Sequence, residues 1–320
     1  MFFQTAGIEV SPWIPPLVAF VISFFTSMGG VSGAFLLLPF QMSFLGYTNP
    51  SVSATNQLFN IVAIPSGVYR YYKEGRMVWP LTWIVIAGTL PGVFIGAFVR
   101  VVYLPDPTHF KLFAAAVLFY IGLKMLRGLL KKNVSTTGQT DSEKKFQDMI
   151  KRHQSISADQ KTADPMIFKK VKITHFNLKR LGYTFYDESF DVSFPGIFTL
   201  SFIVGIVGGI YGIGGGSIIA PFFVTFFRLP VYTVAGAALM GTFVTSVAGV
   251  IFYQIIAPFY PGMSIAPDWL LGVLFGLGGM AGMYLGARCQ KFVPAKRIKW
   301  MLACIIFFTA AKYITEFWAY

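Results

Sequence analysis

Residues 212–221 read GIGGGSIIAP, and residues 30–39 read GVSGAFLLLP. In both stretches glycines precede an apolar run that ends on a proline. The match extends without a gap from residues 30–71 to residues 212–253, at an offset of 182 positions. Because glycine and proline determine backbone shape, their recurrence at one offset is more informative than recurring Val or Leu. The sequence therefore predicts two copies of one structural unit.

The repeat continues after a small shift. Eight extra residues in the second copy change the offset to 190, which aligns Trp79 with Trp269. Three glycines spaced four residues apart then coincide in each copy. They are Gly88, Gly92 and Gly96 in the first copy and Gly278, Gly282 and Gly286 in the second. This spacing is typical of a face on which membrane helices pack closely, and we predict that role for both sets.

The composition is that of a membrane protein. The 320 residues are 55% hydrophobic and only 12% charged, with a mean hydropathy of +0.63. A soluble domain has about twice that share of charged residues, so the soluble classes are excluded, and no alternating pattern suggests a membrane β-barrel. The apolar runs fall at roughly 13–28, 33–46, 52–72, 78–102 and 108–130, and again at roughly 195–211, 216–229, 232–256, 268–288 and 297–319.

These runs divide the chain into three parts. We expect a transmembrane repeat over residues 1–130, a cytoplasmic insert over residues 131–194 and a second transmembrane repeat over residues 195–320. The insert is rich in charged residues, and twelve of the 26 Lys and Arg residues lie between Lys131 and Arg180. Its composition leaves open whether it forms surface helices or stays partly disordered.

The positive charges predict an inverted orientation of the two repeats. The loop at residues 70–76 carries three Lys or Arg residues, whereas its counterpart at residues 257–267 carries none. Because Lys and Arg favour the cytoplasmic side, the equivalent loops should face opposite sides. We therefore predict an all-α inner-membrane protein with two inverted five-segment repeats, both termini outside and the insert inside. The same distribution explains the net charge of +13 without nucleic acid.

Inverted repeats are typical of secondary transporters, although some channels have them too. The first two apolar runs of each half are short and contain glycines, which predicts broken or re-entrant helices near the membrane midplane. Second half-helices beginning near Ala34 and Ser217 would point free N–H groups at an anion. Candidate backbone donors are Gly30, Gly33, Gly214, Gly215 and Gly216. Candidate orienting side chains are Ser32, Ser217, Asn56, Gln57 and Thr242, which interhelical hydrogen bonding would equally explain.

The residue types absent from the middle of the predicted spans also favour an anion. Asp, Glu and His occur in the spans only at their ends, as His109, Asp268 and Glu316, whereas proton relays and sodium sites usually use carboxylates inside the membrane. We expect no cofactor and no metal, because only Cys289 and Cys304 could supply thiolates. We also expect no enzymatic activity, since the GVSG sequence at residues 30–33 has no intramembrane base within reach.

The pattern resembles the TauE/SafE family, also called the sulfite exporter or toluene sulfonate uptake permease family. The resemblance rests on Gly30 to Pro39, on Gly212 to Pro221 and on the hydroxyl-rich segments that follow them. It implies transport of sulfite, a sulfonate or another organosulfur anion. The first half differs from the family pattern at Ser32 and Ala34, where glycines are expected, and at Asn56–Gln57. A passive anion channel and a membrane assembly partner without transport remain as alternatives.

Overall fold

The fold is mostly helical, and its helices follow the predicted runs. The computed structural model describes residues 1–28, 31–130, 171–185, 188–289 and 295–318. These residues contain ten α-helices, five in each half. The first half has α1 (Ile14–Met28), α2 (Ala34–Ser43), α3 (Ser51–Lys73), α4 (Trp79–Val102) and α5 (Pro107–Leu130). The second half has α6 (Phe194–Tyr211), α7 (Ile219–Phe226), α8 (Val231–Ile256), α9 (Trp269–Cys289) and α10 (Ala295–Trp318).

The lengths of the helices agree only in part with the prediction of short first helices. In the first half α1 has 15 residues and α2 has 10, and in the second half α7 has 8. The prediction is wrong for α6, which has 18 residues. Among the described residues, four helices are long and apolar enough to cross a membrane, and these are α4, α6, α8 and α9. The glycines of α6 do not break it, because they pack on α4. A Cβ on Gly205 or Gly209 would lie 2.6 Å from the carbonyl oxygen of Thr89 or Val93.

The packing partners of the two halves correspond to one another. Helix α1 packs on α9, and its counterpart α6 packs on α4, the counterpart of α9. In the same way α3 packs on α9 and α8 packs on α4. The remaining large contacts join counterparts directly, α3 with α8 and α5 with α10. Each half is thus held together largely by the other.

The glycine stripes confirm this correspondence at the level of residues. A Cβ on any of the six glycines would lie less than 3.0 Å from a backbone carbonyl oxygen of the neighbouring helix. In α4 these glycines meet the carbonyls of Phe198, Phe202 and Ile206, and in α9 they meet those of Pro16, Phe20 and Phe24. The two sets of carbonyls are again 182 positions apart (198−16, 202−20 and 206−24). The predicted role of the stripes in helix packing is confirmed.

The described part of the insert forms a small β-sheet, which the sequence analysis did not anticipate. Antiparallel strands pair in the order β3-β4-β5, over Lys172–Phe176, Arg180–Phe185 and Glu188–Ser193, while β1 (Phe2–Phe3) and β2 (Ile8–Glu9) form a hairpin near the N-terminus. The Tyr183 hydroxyl lies 2.9 Å from that of Thr233 at the start of α8. The strands are short, and contact with helix ends buries one face, so composition alone gave little signal. Residues 131–170 of the predicted insert lie outside the described residues.

Contacts at their ends show that α3 and α8 run in opposite directions. The N–H group of Val171, just before β3, donates to the carbonyl of Gly75, which follows α3. The sheet therefore lies at the end of α3 and, through Thr233, at the start of α8. At the other end the N–H group of Ser51, the first residue of α3, donates to the carbonyl of Ser264, which follows α8. We call the end where the sheet lies the sheet face, and the opposite end, at Ser51 and Ser264, the hairpin face.

Candidate functional site

The two glycine-containing connections lie between the first two helices of each half. We call residues 31–33, between α1 and α2, the first turn, and residues 212–218, between α6 and α7, the second turn. Gly212 and Gly214 have φ values of 75° and 79°. Glycine adopts this left-handed conformation at low cost, whereas residues with a side chain rarely do. Gly33 has an ordinary helical φ of −57°. Gly30 lies outside the described residues, so its proposed role stays a prediction.

Asn56 joins the two turns. Its side chain is fully buried on α3, and its amide nitrogen donates to the carbonyl of Ala34, 3.0 Å away, and to that of Gly212, 3.1 Å away. Its amide oxygen accepts a hydrogen bond from the Gln41 amide at 3.2 Å. One side chain of the first half therefore holds backbone from both halves together.

Asn60 makes a second bridge, one helical turn further along α3. Its amide nitrogen donates to the carbonyl of Ile213 at 2.8 Å and to the hydroxyl of Ser246 at 3.1 Å. Its amide oxygen accepts from the hydroxyl of Ser32, and this hydroxyl in turn accepts from the N–H group of Ala34 at 3.2 Å. Asn60 was not among the predicted site residues. Its position four residues after Asn56, on the same face of a helix, was the available signal.

Some of the predicted donors of the second turn already form hydrogen bonds within the protein. The N–H group of Gly215 donates to the Thr245 hydroxyl at 3.0 Å, and that of Ser217 donates to the carbonyl of Gly214 at 3.3 Å. The hydroxyl of Ser217 donates to the carbonyl of Ile213, and the hydroxyl of Thr242 donates to a carbonyl of its own helix. Within the described residues, the N–H groups of Gly214 and Gly216 donate to no acceptor.

Gln57 differs from its neighbours on α3 because its amide is buried without a hydrogen bond among the described residues. The amide packs against Gly249 of α8, leaving no space for a Cβ there. In the other half, Leu239 occupies the aligned position (57+182) and lies 3.6 Å from the Cβ position of Gly67. The crossing of α3 and α8 thus repeats its geometry, with an amide on one side and a leucine on the other.

Further buried polar atoms lie near the first turn. Within the described residues, the hydroxyls of Ser23 and Thr26 on α1 and the amide oxygen of Gln41 on α2 have no hydrogen-bond partner. The Ser23 hydroxyl lies 2.5 Å from the Cβ position of Gly33. Such groups are costly to bury unpaired, by about 1–3 kcal/mol each, and are uncommon outside functional sites. The sequence analysis missed Ser23 and Thr26, which are polar positions in an otherwise apolar helix.

The two turns are closed in this conformation. The described glycines of both turns would bring a Cβ closer than 3.0 Å to a neighbouring atom, which leaves no room beside them for an anion. A cavity of about 300 Å³ lies instead between α1, α2 and α10, with a mainly apolar lining. Lys312 is at its edge, with Nζ 3.4 Å from the carbonyl of Ser43 and 3.5 Å from the centre of the Phe44 ring.

Comparison with known proteins agrees with the resemblance noted in the sequence. A family model described as "Sulfite exporter TauE/SafE" matches residues 16–313, which include both turns. The chain belongs to the TauE/SafE family. Two curated proteins of Bacillus subtilis (strain 168) are similar to it. "Probable membrane transporter protein YdhB" is 26% identical over 114 residues, which are 36% of this chain and 43% of that protein. "Probable membrane transporter protein YunE" is 26% identical over 117 residues, 37% of this chain and 40% of that protein.

Both alignments thus cover about two fifths of the relative's length. No solved structure matches this chain. Both relatives carry names that describe probable membrane transporters.

Proposed function

We propose that this protein is a secondary transporter, a permease that moves a small sulfur-containing anion such as sulfite, a sulfonate or another organosulfur anion across the cell membrane. The observation that carries the proposal is the meeting of the two glycine turns, one from each half, on the buried amides of Asn56 and Asn60. Membership in a transporter family favours transport over catalysis and over a passive scaffold.

An inverted repeat supports alternating access in this protein. The corresponding packing partners and the opposite directions of α3 and α8 are what two inverted copies produce. The loop at residues 70–76 lies at the sheet face, so its positive charges favour that face as cytoplasmic. The hairpin face, with the N-terminus, would then be outside. In this arrangement residues 1–130 and 195–320 are the two repeats, and residues 131–194 are the cytoplasmic insert.

The residues of the turns would bind the anion when the site opens. The N–H groups of Gly214 and Gly216 have no acceptor among the described residues, and Gly30, Gly33 and Gly215 would add backbone donors. Ser32, Ser217, Asn56, Gln57 and Thr242 would orient the anion through neutral hydroxyls and amides. Neutral donors suit a transporter because they hold an anion without trapping it. The predicted spans carry Asp or Glu only at their ends, at Asp268 and Glu316, so no carboxylate in the middle of a span would repel the anion.

Gln57→Leu provides the sharpest test of this site. The replacement recreates at position 57 the leucine found at the aligned position 239, so it suits the helix crossing and removes an unpaired buried amide. We expect the variant to be about 1 kcal/mol more stable and to transport sulfite at least about tenfold more slowly. The two measurements are thermal unfolding in detergent and uptake of labelled sulfite into liposomes. Leu239→Met, a volume-conserving change in the other half, is the control and should transport normally.

The same liposomes separate the alternatives. Saturable uptake with counterflow supports a transporter, whereas flux that does not saturate indicates a channel. If wild-type protein moves none of sulfite, a sulfonate, sulfate or thiosulfate, an assembly role without transport is favoured. Normal uptake by the Gln57→Leu variant would exclude Gln57 from the site.

A further inference from the structure

Arg100 is a buried cation that the sequence analysis did not assign to a function. It lies in the last turn of α4, four residues after Gly96, and so continues the glycine stripe that packs on α6. Its side chain has no solvent exposure. The aligned position in the second half is Gln290, which lies outside the described residues. The arginine therefore adds a positive charge to one half where the other half has a neutral residue.

The hydrogen bonds of Arg100 leave one edge of its guanidinium unused. Nη1 donates to the carbonyl of Leu104, and the guanidinium carbon lies 3.9 Å from the centre of the Phe110 ring. Nε and Nη2 are buried and have no acceptor among the described residues. Arg100 also forms no ion pair with any described carboxylate. A guanidinium stays charged in proteins, so burying it without a counterion is strongly unfavourable.

Arg76 shows how the same chain neutralises a buried arginine elsewhere. It is 2% exposed, and its guanidinium pairs with the carboxylate of Glu74, which also forms an ion pair with Arg70 at 2.7 Å. The guanidinium of Arg76 lies 4.6 Å from the centre of the Tyr71 ring, much as that of Arg100 lies over Phe110. The two environments differ mainly in the carboxylate, which Arg76 has and which no described residue provides for Arg100.

The unused edge of Arg100 has the shape that recognises an oxyanion. The N–H groups of Nε and Nη2 lie side by side and parallel in the plane of the guanidinium. Two oxygen atoms on one sulfur, phosphorus or carbon atom match this pair, which makes the interaction bidentate. A halide ion has one centre and gains no such match.

The position of Arg100 connects it with the second turn by two routes. Phe110, on which it stacks, lies 6.3 Å from the ring of Tyr211, the residue before Gly212. Tyr253 lies near Arg100, and its hydroxyl lies beside that of Ser53. Ser53 packs directly against Gly212. The neighbours of Arg100 on α4, Ala97 and Val101, pack in one cluster with Ile265, which places this end of α4 at the hairpin face.

We propose that Arg100 is the anchor of an oxyanion-binding site at the hairpin face, next to the second turn. The ligand class is a small oxyanion that presents two oxygens to the guanidinium, with sulfite as the probe used below. Binding by Arg100 stands on the geometry just described. Its part in delivering the anion to the turns rests on the proposed transport function. In the competing explanation, Arg100 only balances the negative carbonyl ends of α4 and α6 and binds no ligand.

The test measures binding and transport separately on the full-length protein. Sulfite, sulfate and chloride are titrated against purified wild type, Arg100→Lys and Arg100→Gln in detergent, with binding followed by calorimetry. Lys111→Gln, which removes one positive charge from the start of α5, is the control. We expect sulfite to bind about tenfold to a hundredfold more weakly to Arg100→Lys and more weakly still to Arg100→Gln. Chloride binding should be weak in all four proteins, and Lys111→Gln should match wild type.

The other possible outcomes also decide between the proposed oxyanion site and a purely structural role of Arg100. Unchanged sulfite affinity in Arg100→Lys, or wild-type protein that binds neither sulfite nor sulfate at millimolar concentration, would overturn the proposal and favour the purely structural role. If Arg100→Gln does not fold, Arg100→Lys alone decides, because it keeps the charge and loses the paired N–H groups. Sulfite binding that depends on Arg100 without any uptake into liposomes would reject the proposed function and retain this site. Uptake into liposomes without sulfite binding that depends on Arg100 would reject this site and retain the proposed function.

Discussion

The first and second turns occupy equivalent places in the two halves but are built from different chemistry. The first turn is held by side chains, with the hydroxyl of Ser32 bonded to Asn60. The second turn depends on backbone, with Gly212 and Gly214 in left-handed conformations. The amides that hold the second turn come from α3 of the first half. At these equivalent places the first half therefore supplies polar side chains, whereas the second half supplies glycines.

The largest effect expected from this difference is at the second turn. Gly212→Ala would place a Cβ in a left-handed conformation and against Ser53, so we expect little folded protein. Gly46→Ala is the matched control, because Gly46 has a similar φ of 70° with nothing within 4 Å of its Cβ position. It should cost about 1–2 kcal/mol. Size-exclusion profiles and thermal unfolding in detergent compare the two, and equal stability would contradict the packing role of Gly212.

A smaller and repairable effect is expected at the first turn. Gly33 has a helical φ, and the atom that would clash most closely with a Cβ at this position is the hydroxyl oxygen of Ser23. Gly33→Ala should therefore destabilise the protein by about 1–3 kcal/mol through overpacking. Adding Ser23→Ala removes the hydroxyl, and most of the lost thermal stability should return. A double variant no better than the single one would show that the first turn depends on its backbone as the second does.

The bridge between the turns should also be measurable. Asn56→Ala introduces the residue found at the aligned position 238 and leaves the carbonyls of Ala34 and Gly212 without this donor. We expect a loss of about 1–3 kcal/mol in the free energy of unfolding, together with slower sulfite uptake in liposomes. Lys73→Ala, at an exposed position near the end of the same helix, serves as the control. Wild-type stability in the Asn56 variant would mean that the turns do not need the bridge.

The smallest effect concerns the insert, which packs on the second half. Tyr183→Phe removes the hydroxyl that meets Thr233 and keeps the buried ring. Its expected cost is about 1 kcal/mol, with unchanged sulfite uptake, because the contact lies at the sheet face away from the turns. A large loss of uptake would instead assign the insert a part in transport.

The pattern of glycines and apolar runs predicted much of the helical framework. It located the ten helices and identified the packing stripes, which contacts with Phe198 and Pro16 among others confirm. It failed where local signals were weak or misleading. The glycines of α6 suggested a broken helix, but close packing on α4 keeps it continuous, and the strands of the insert were too short to be recognised.

For the site, the sequence indicated which segments matter but not how their polar groups are used. Asn56, Gln57 and Asn60 lie within five positions of one another and look alike in the sequence. In the structure Asn56 and Asn60 bond to backbone from both halves, whereas Gln57 has no partner among the described residues. The difference follows from which face of α3 meets the turns and which meets Gly249.

The sequence by itself determined the membrane class and the positions of the helices and turns, because hydropathy and glycine spacing act locally along the chain. Only the tertiary structure decided which buried polar groups are paired. Arg76 and Arg100 are equally basic in the sequence, yet Arg76 has a carboxylate beside it, whereas Arg100 has none from the part of the chain that the structure describes. Pairing depends on helices that are distant in sequence coming together, and this is the information that local patterns lack.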